Sequence, residues 1–177
     1  MKFLYTIFFL IIITSYSFAE CPTSYDPPGN NHKNTMFYIE KDTNSNVVYY
    51  DVNVDKDLKI KRNKPVDVYW QMFEKNGERQ ELNFFEKKLA YGIIKVREII
   101  PYKKYGFRII SVKREIFVNY DNGCAYAETT INGKLSKLGK ISLVVQNTSY
   151  LPKLLYLDIY GIDYDTGEEV VERYYHN

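Results

Sequence analysis

The run Pro65-Val66-Asp67-Val68-Tyr69-Trp70-Gln71-Met72-Phe73 alternates residue by residue. Side chains two apart on an extended strand point the same way, so Val66, Val68, Trp70 and Met72 share one face, and Asp67, Tyr69, Gln71 and Phe73 share the other. The first is a core face. The second mixes a carboxylate, a phenol, an amide and a phenyl, which suits either bulk water or the lining of a cavity. Runs rich in β-branched and aromatic residues recur at 36–41, 47–54, 93–99, 107–112, 115–120, 125–131, 140–146, 154–164 and 169–175. Between them stand turn formers: Asp42-Thr43-Asn44-Ser45-Asn46, Asn76-Gly77, Asp121-Asn122-Gly123, Asn132-Gly133 and Asp165-Thr166-Gly167. Such short connections join antiparallel neighbours, because parallel strands need long crossovers. The expectation is an all-β, mainly antiparallel domain, a sandwich or barrel of about nine or ten strands. In 79–90 the period changes: Leu82, Phe85, Glu86 and Leu89 recur at helical spacing and Gly92 stands where a helix C-terminal glycine would. One short helix is expected there.

The N-terminus bears on location. Lys2 precedes an almost unbroken apolar run from Phe3 to Ile13, and Ser17-Phe18-Ala19 places small residues before a polar start. Residues 1–19 therefore read as a secretory signal peptide, and the apolar run is well short of the roughly 20 residues that span hydrocarbon. A membrane anchor and a lipoprotein modified at Cys21 are the competing readings. Glu20 opposes lipidation, because a small residue is usual before the modified cysteine. The expectation is an exported protein, periplasmic, cell-surface or secreted. An extended Pro/Asn-rich segment over 20–35 would precede a single domain over 36–177.

Loss of Lys2 takes the formal charge from +2 to +1, with both signs scattered along the chain. That balance leaves no electrostatic footprint for nucleic acid. Two cysteines, Cys21 and Cys124, survive cleavage, and in an oxidising compartment they most simply form one disulfide. The two histidines, His32 and His176, lie in the Pro/Asn-rich segment and beside the C-terminus. Neither sits where a rigid scaffold would hold it. No Gly-X-Ser-X-Gly elbow, His-Glu-X-X-His helix, zinc-spaced cysteine pair or phosphate-cradling glycine loop occurs. No catalytic residue, cofactor or metal site is assigned. Catalysis would have to rest on carboxylates such as Glu40, Asp67, Glu86 and Asp158, as in glycosidases. Asn147-Thr148-Ser149 matches an N-glycosylation acceptor, which matters only in a eukaryotic host.

Eighteen tyrosines and ten phenylalanines exceed what one core requires. Tyrosine pairs an apolar body with a polar tip, suited to ligands and partners, although strands favour it in any case. The face chosen as candidate ligand-binding surface is Asp67, Tyr69 and Gln71 of the opening strand, with Lys88 and Tyr91 from the end of the helix.

Five ordered blocks suggest a family: Phe37-Tyr38-Ile39-Glu40, Asn46-Val47-Val48-Tyr49-Tyr50-Asp51, Pro65-Val66-Asp67-Val68-Tyr69-Trp70, Glu86-Lys87-Lys88-Leu89-Ala90-Tyr91-Gly92, and Thr166-Gly167-Glu168 with Glu172-Arg173. They resemble a mainly bacterial family of secreted proteins known only as a domain of unknown function. The resemblance implies an exported β-rich protein and carries over no catalytic residue. Two functional readings follow: a non-enzymatic module binding a small molecule, glycan or envelope protein through the face just named, and a carboxylate-dependent hydrolase of envelope glycans. A structural or assembly role is the third. The hydrolase requires two carboxyl groups roughly 5 to 10 Å apart across a cleft.

Overall fold

The computed structural model describes residues 21, 25, 27–29, 33–99, 104–112, 114–146 and 153–175. The proposed leader, His32, His176 and the Asn147-Thr148-Ser149 triplet lie outside them. In chain order the strands are β1 (Thr35–Lys41), β2 (Asn44–Val52), β3 (Val66–Met72), β4 (Glu78–Glu81), β5 (Ile93–Ile99) and β6 (Lys104–Ile109). They continue with β7 (Glu115–Asp121), β8 (Cys124–Ile131), β9 (Lys134–Gln146), β10 (Lys153–Asp163) and β11 (Glu169–Tyr175). Among the described residues the one α-helix, α1, is Phe84–Leu89. Among the described residues no helix is long and apolar enough to cross a membrane.

The strands form a curled sheet, a half-barrel, in the order β4-β3-β2-β1-β9-β8-β7-β6-β5, with β10 on β9 and β11 on β10. All pairs are antiparallel except β1 with β9. Strands β2 to β8 lie between those two in the chain, so the crossover that parallel pairing needs is available. β9 serves both flanks. Its first half pairs with β8 up to Leu138, and its second half pairs with β1 from Lys140 onward. Gly139 is left at the fork as the extra residue of a bulge in β9, the partners of Tyr160 and Gly161 on β10 passing from Lys140 to Leu138.

The core fills the inside of the curl. Phe37, Tyr50 and Phe107 stack at its centre, with 4.5 Å between the Phe37 and Tyr50 rings. Ile39, Ile109, Ile141, Leu157 and Ile159 surround them, all fully buried. The core face expected for the opening strand lies here: Val66 and Trp70 are buried, and Val68 and Met72 pack against the same cluster.

The helix is shorter than 79–90. Glu78–Glu81 instead form β4, pairing with Tyr69–Met72. Asn83 then starts α1 through a capping box, its Oδ1 accepting from the Glu86 amide at 2.9 Å while Glu86 Oε2 accepts from the Asn83 amide at 2.8 Å. The periodic apolar residues divide: Leu82 is buried, whereas Phe84, Phe85 and Leu89 are each more than two-thirds exposed. Gly92 is required by close approach, since a Cβ there would lie 1.7 Å from the Lys87 carbonyl oxygen.

The described residues of the N-terminal segment, Cys21, Tyr25 and 27–29, lie against the outer side of the sheet. Cys21 and Cys124 form a disulfide. The Tyr25 hydroxyl bonds Glu169, and its ring meets Tyr160 edge-on and fills the space over Gly139, where a Cβ would lie 1.7 Å from Tyr25 Cδ2. Further on, the Tyr49 hydroxyl donates to the Pro28 carbonyl, and Gly29 (φ +94°) packs on the Phe73 ring.

Gly139→Ala should displace the Tyr25 ring and cost about 1–3 kcal/mol in urea unfolding. If the ring is the cause, Gly139→Ala should add little in a Tyr25→Ala background; full additivity would contradict it.

Ion pairs hold several carboxyls below their ordinary range: Asp158 through the two-pronged Arg173 contact at 2.8 Å, Asp163 through Lys134, and Glu172 through Arg114. Depressed folded values stabilise the protein above the unfolded carboxylate range and stop doing so as pH falls through the folded values. The thermal midpoint should be flat from neutral pH to about 5 and drop below about 4. Stability unchanged at about pH 2 would contradict this linkage.

Candidate functional site

The polar face of β3 does not meet water as a unit. Tyr69 packs with Tyr38, Val47 and Tyr49 in a second, smaller apolar cluster on the outer side of the sheet, against which Tyr25 and Phe73 lie. The Tyr69 hydroxyl donates to Asp51 Oδ2 at 2.8 Å, and Thr35 Oγ1 donates to Asp51 Oδ1 at 2.7 Å. Burial, then the Asp51 charge, pushes the Tyr69 phenol well up, so it stays protonated. Beneath the N-terminal segment the remaining cavity is about 20 Å³, bordered by Tyr25, Pro27 and Gly139. That is room for about one water. Gln71 donates from Nε2 to the Gly77 carbonyl and so secures the β3–β4 turn. Tyr91 lies on the core side, its ring 5.2 Å from Trp70 and its carbonyl accepting from the Tyr50 hydroxyl at 2.7 Å.

Asp67 and Lys88 share a different surface. β2 pairs with β3 along Val66–Gln71, but β4 pairs only from Tyr69 onward. β5 pairs only with β6. Between the unpaired stretch of β3 and the start of β5 the sheet leaves a seam, an open groove of about 360 Å³. Val66, Asp67 and Val68 line it from β3, Lys87 and Lys88 from α1, and Ile93 from β5. Thus the sequence candidates separate: Asp67 and Lys88 border one groove, while Tyr69, Gln71 and Tyr91 hold the fold around it.

In this groove Asp67 accepts from Lys64 Nζ at 2.6 Å and from Arg79 at 2.7 Å, and the Arg79 guanidinium stacks on Tyr69, 3.7 Å from its centroid. Partial burial pushes the Asp67 carboxyl up, but these two hydrogen bonds outweigh it and hold the group below the usual range. The other carboxylate lining the groove, Glu81, is ion-paired with Arg79 and Lys87. A glycosidase acid needs a raised value, so Asp67 is not tuned as a proton donor. Lys88 has no ion-pair partner among the described residues and faces the groove with its charge free.

A second concavity, about 150 Å³, lies at the mouth of the half-barrel and includes Lys41, Asn44, Trp70, Gln80 and Glu86. The sequence held one sign of it that went unused: Phe37, Ile39 and Lys41 share one face of β1, so a lysine ends an otherwise apolar inward row. Among the described residues no group of three or more His, Cys, Asp or Glu is placed to hold a metal ion.

These features define an all-β half-barrel domain with an incompletely closed seam. The chain belongs to the DUF4833 family, a domain of unknown function, whose model matches residues 37–173. Neither a curated relative nor a solved structure matches the chain.

Tyr69→Phe should cost about 1–3 kcal/mol in urea unfolding, the range for a buried hydrogen bond to a charged group. An unchanged midpoint would show that the Asp51 contact contributes nothing to the fold.

Proposed function

We propose that this protein is an exported, non-catalytic binding module that takes an extended segment of a partner into the seam beside β3. Export is supported by the signal-like residues 1–19 and by the Cys21–Cys124 disulfide, which suits an oxidising compartment. The observation that carries the binding reading is the groove itself. It is an open concavity bordered by the stretch of β3, Val66–Val68, whose β4-side edge carries no partner strand, and by the outer edge of β5.

Backbone groups on an unpaired strand edge are ready to bond another strand, and proteins use such edges to recognise extended peptides. Val66 and Val68 supply apolar contact beside that edge. Lys88 adds an uncompensated positive charge, so a segment carrying an acidic residue is favoured over a basic one.

Panning random linear peptides against the purified protein should enrich extended, acidic-biased sequences. Their binding should slow hydrogen exchange along Val66–Val68 and weaken in Lys88→Glu by about tenfold. Peptides that protect only other strands, or that bind Lys88→Glu as well as the parent, would sink this reading.

A further inference from the structure

Lys41 is a half-buried cation at the end of the inward face of β1. Its ammonium lies 5.1 Å from the centroid of Trp70 and 5.4 Å from that of Tyr91. These two ring faces support the charge. They cannot accept its three N–H donors as an oxygen would, and among the described residues no acceptor lies within hydrogen-bond reach of it. Burial lowers the Lys41 pKa, and the Glu86 charge opposes that shift without forming an ion pair. A half-buried cation whose donors meet no protein acceptor keeps them available to an acceptor that a ligand brings.

The surrounding groups define what that would be. Lys41 opens into the 150 Å³ concavity at the mouth of the half-barrel, floored by Trp70 and Met72. Asn46 is committed: its Nδ2 donates to Glu74 at 3.0 Å and its Oδ1 accepts from the Glu74 amide. Asn44 spends its Oδ1 on the Asn46 amide, which leaves its NH₂. Glu86 spends Oε2 on the Asn83 amide, which leaves Oε1. Gln80 is exposed at the rim. The unspent groups are therefore an ammonium, two amides and one carboxylate oxygen. They would match an anionic oxygen pair with a hydrogen-bond donor beside it.

From this geometry we infer that the mouth of the half-barrel binds a small carboxylate bearing an adjacent donor, an α-hydroxy or α-amino acid. Its carboxylate meets Lys41 and its α-substituent donates to Glu86. The site is separate from the seam, and it stands or falls independently of the peptide-binding reading. The volume admits a small acid.

Trp70 is the only tryptophan in the chain, so tryptophan fluorescence reads changes at the floor of this concavity. Lactate, L-alanine, acetate and glucose are titrated into the purified protein. Lactate or L-alanine should give a saturable change, acetate a weaker one, and glucose none; which of the first two is stronger identifies the α-substituent. Lys41→Met keeps the stem on Trp70 and should weaken binding by roughly tenfold to a hundredfold. Glu86→Gln, which preserves the capping box, should weaken lactate and L-alanine but leave acetate unchanged. Thermal unfolding confirms that each variant is folded. No saturable change with lactate or L-alanine overturns the inference, as does an equal response to glucose or undiminished binding by folded Lys41→Met.

Discussion

The ring of Tyr25 occupies the space over Gly139 where any other residue would carry a side chain, at the point where β9 passes from one neighbour to the other. Two flanks of a sheet that part at a fork leave the fork itself unpaired, and an unfilled gap there would expose the core to water. The N-terminal segment closes it. The Cys21–Cys124 disulfide fixes the segment at the edge of β8, and the Tyr25 contacts with Tyr160 and Glu169 add β10 and β11. One short stretch of chain thereby joins strands that the sheet alone keeps apart. A covalent tie between residues 103 apart adds to this by restricting the unfolded chain.

Covering the fork also decides what the outer face of β1–β3 can be. Tyr38, Tyr49 and Tyr69 would be exposed aromatic rings on an uncovered sheet. Under the segment they become a second core, with Asp51 anchored between the Tyr69 and Thr35 hydroxyls. This accounts for part of the tyrosine excess: a phenol buries its ring and still satisfies its oxygen, as Tyr49 does with Pro28, Tyr50 with Tyr91 and Tyr69 with Asp51. Open concavities are left where the sheet is incomplete, at the seam and at the mouth.

The strand pattern was legible because the period of two and the Asn-Gly turns are local. Asn76, Asn122 and Asn132 all adopt the positive φ that those turns require. The disulfide was legible because only two cysteines follow the signal-like segment, and two cysteines allow a single pairing. β4 was not, since Glu78-Arg79-Gln80-Glu81 has no apolar alternation and is a strand only through its pairing with β3. Nor was the fate of the Asp67, Tyr69, Gln71 face: alternation assigns a side of the strand but not what covers that side. The N-terminal segment that covers it reads as an irregular loop, and its contacts with Gly139 and Glu169 lie more than a hundred residues away. Lys41 was missed for a related reason. A lysine after Glu40 at a strand end reads as a solvated edge unless the inward row is followed to its last residue.

Both concavities depend on where α1 sits. Lys88 lines the seam and Glu86 lines the mouth, two residues apart on a helix of six. So short a helix has little stability of its own and must be placed by its ends. The capping box at Asn83 fixes the first turn. After the last turn, Tyr91 packs on Trp70 and its carbonyl takes the Tyr50 hydroxyl from the core, while Gly92 lets the chain pass against Lys87. Phe84, Phe85 and Leu89, which would ordinarily seat a helix on a core, project outward instead. Trp70 thus has two structural roles, filling the core beneath the mouth and giving Tyr91 the surface that anchors the helix. The same strand that opens with a simple alternation sets the floor of one concavity and one border of the other.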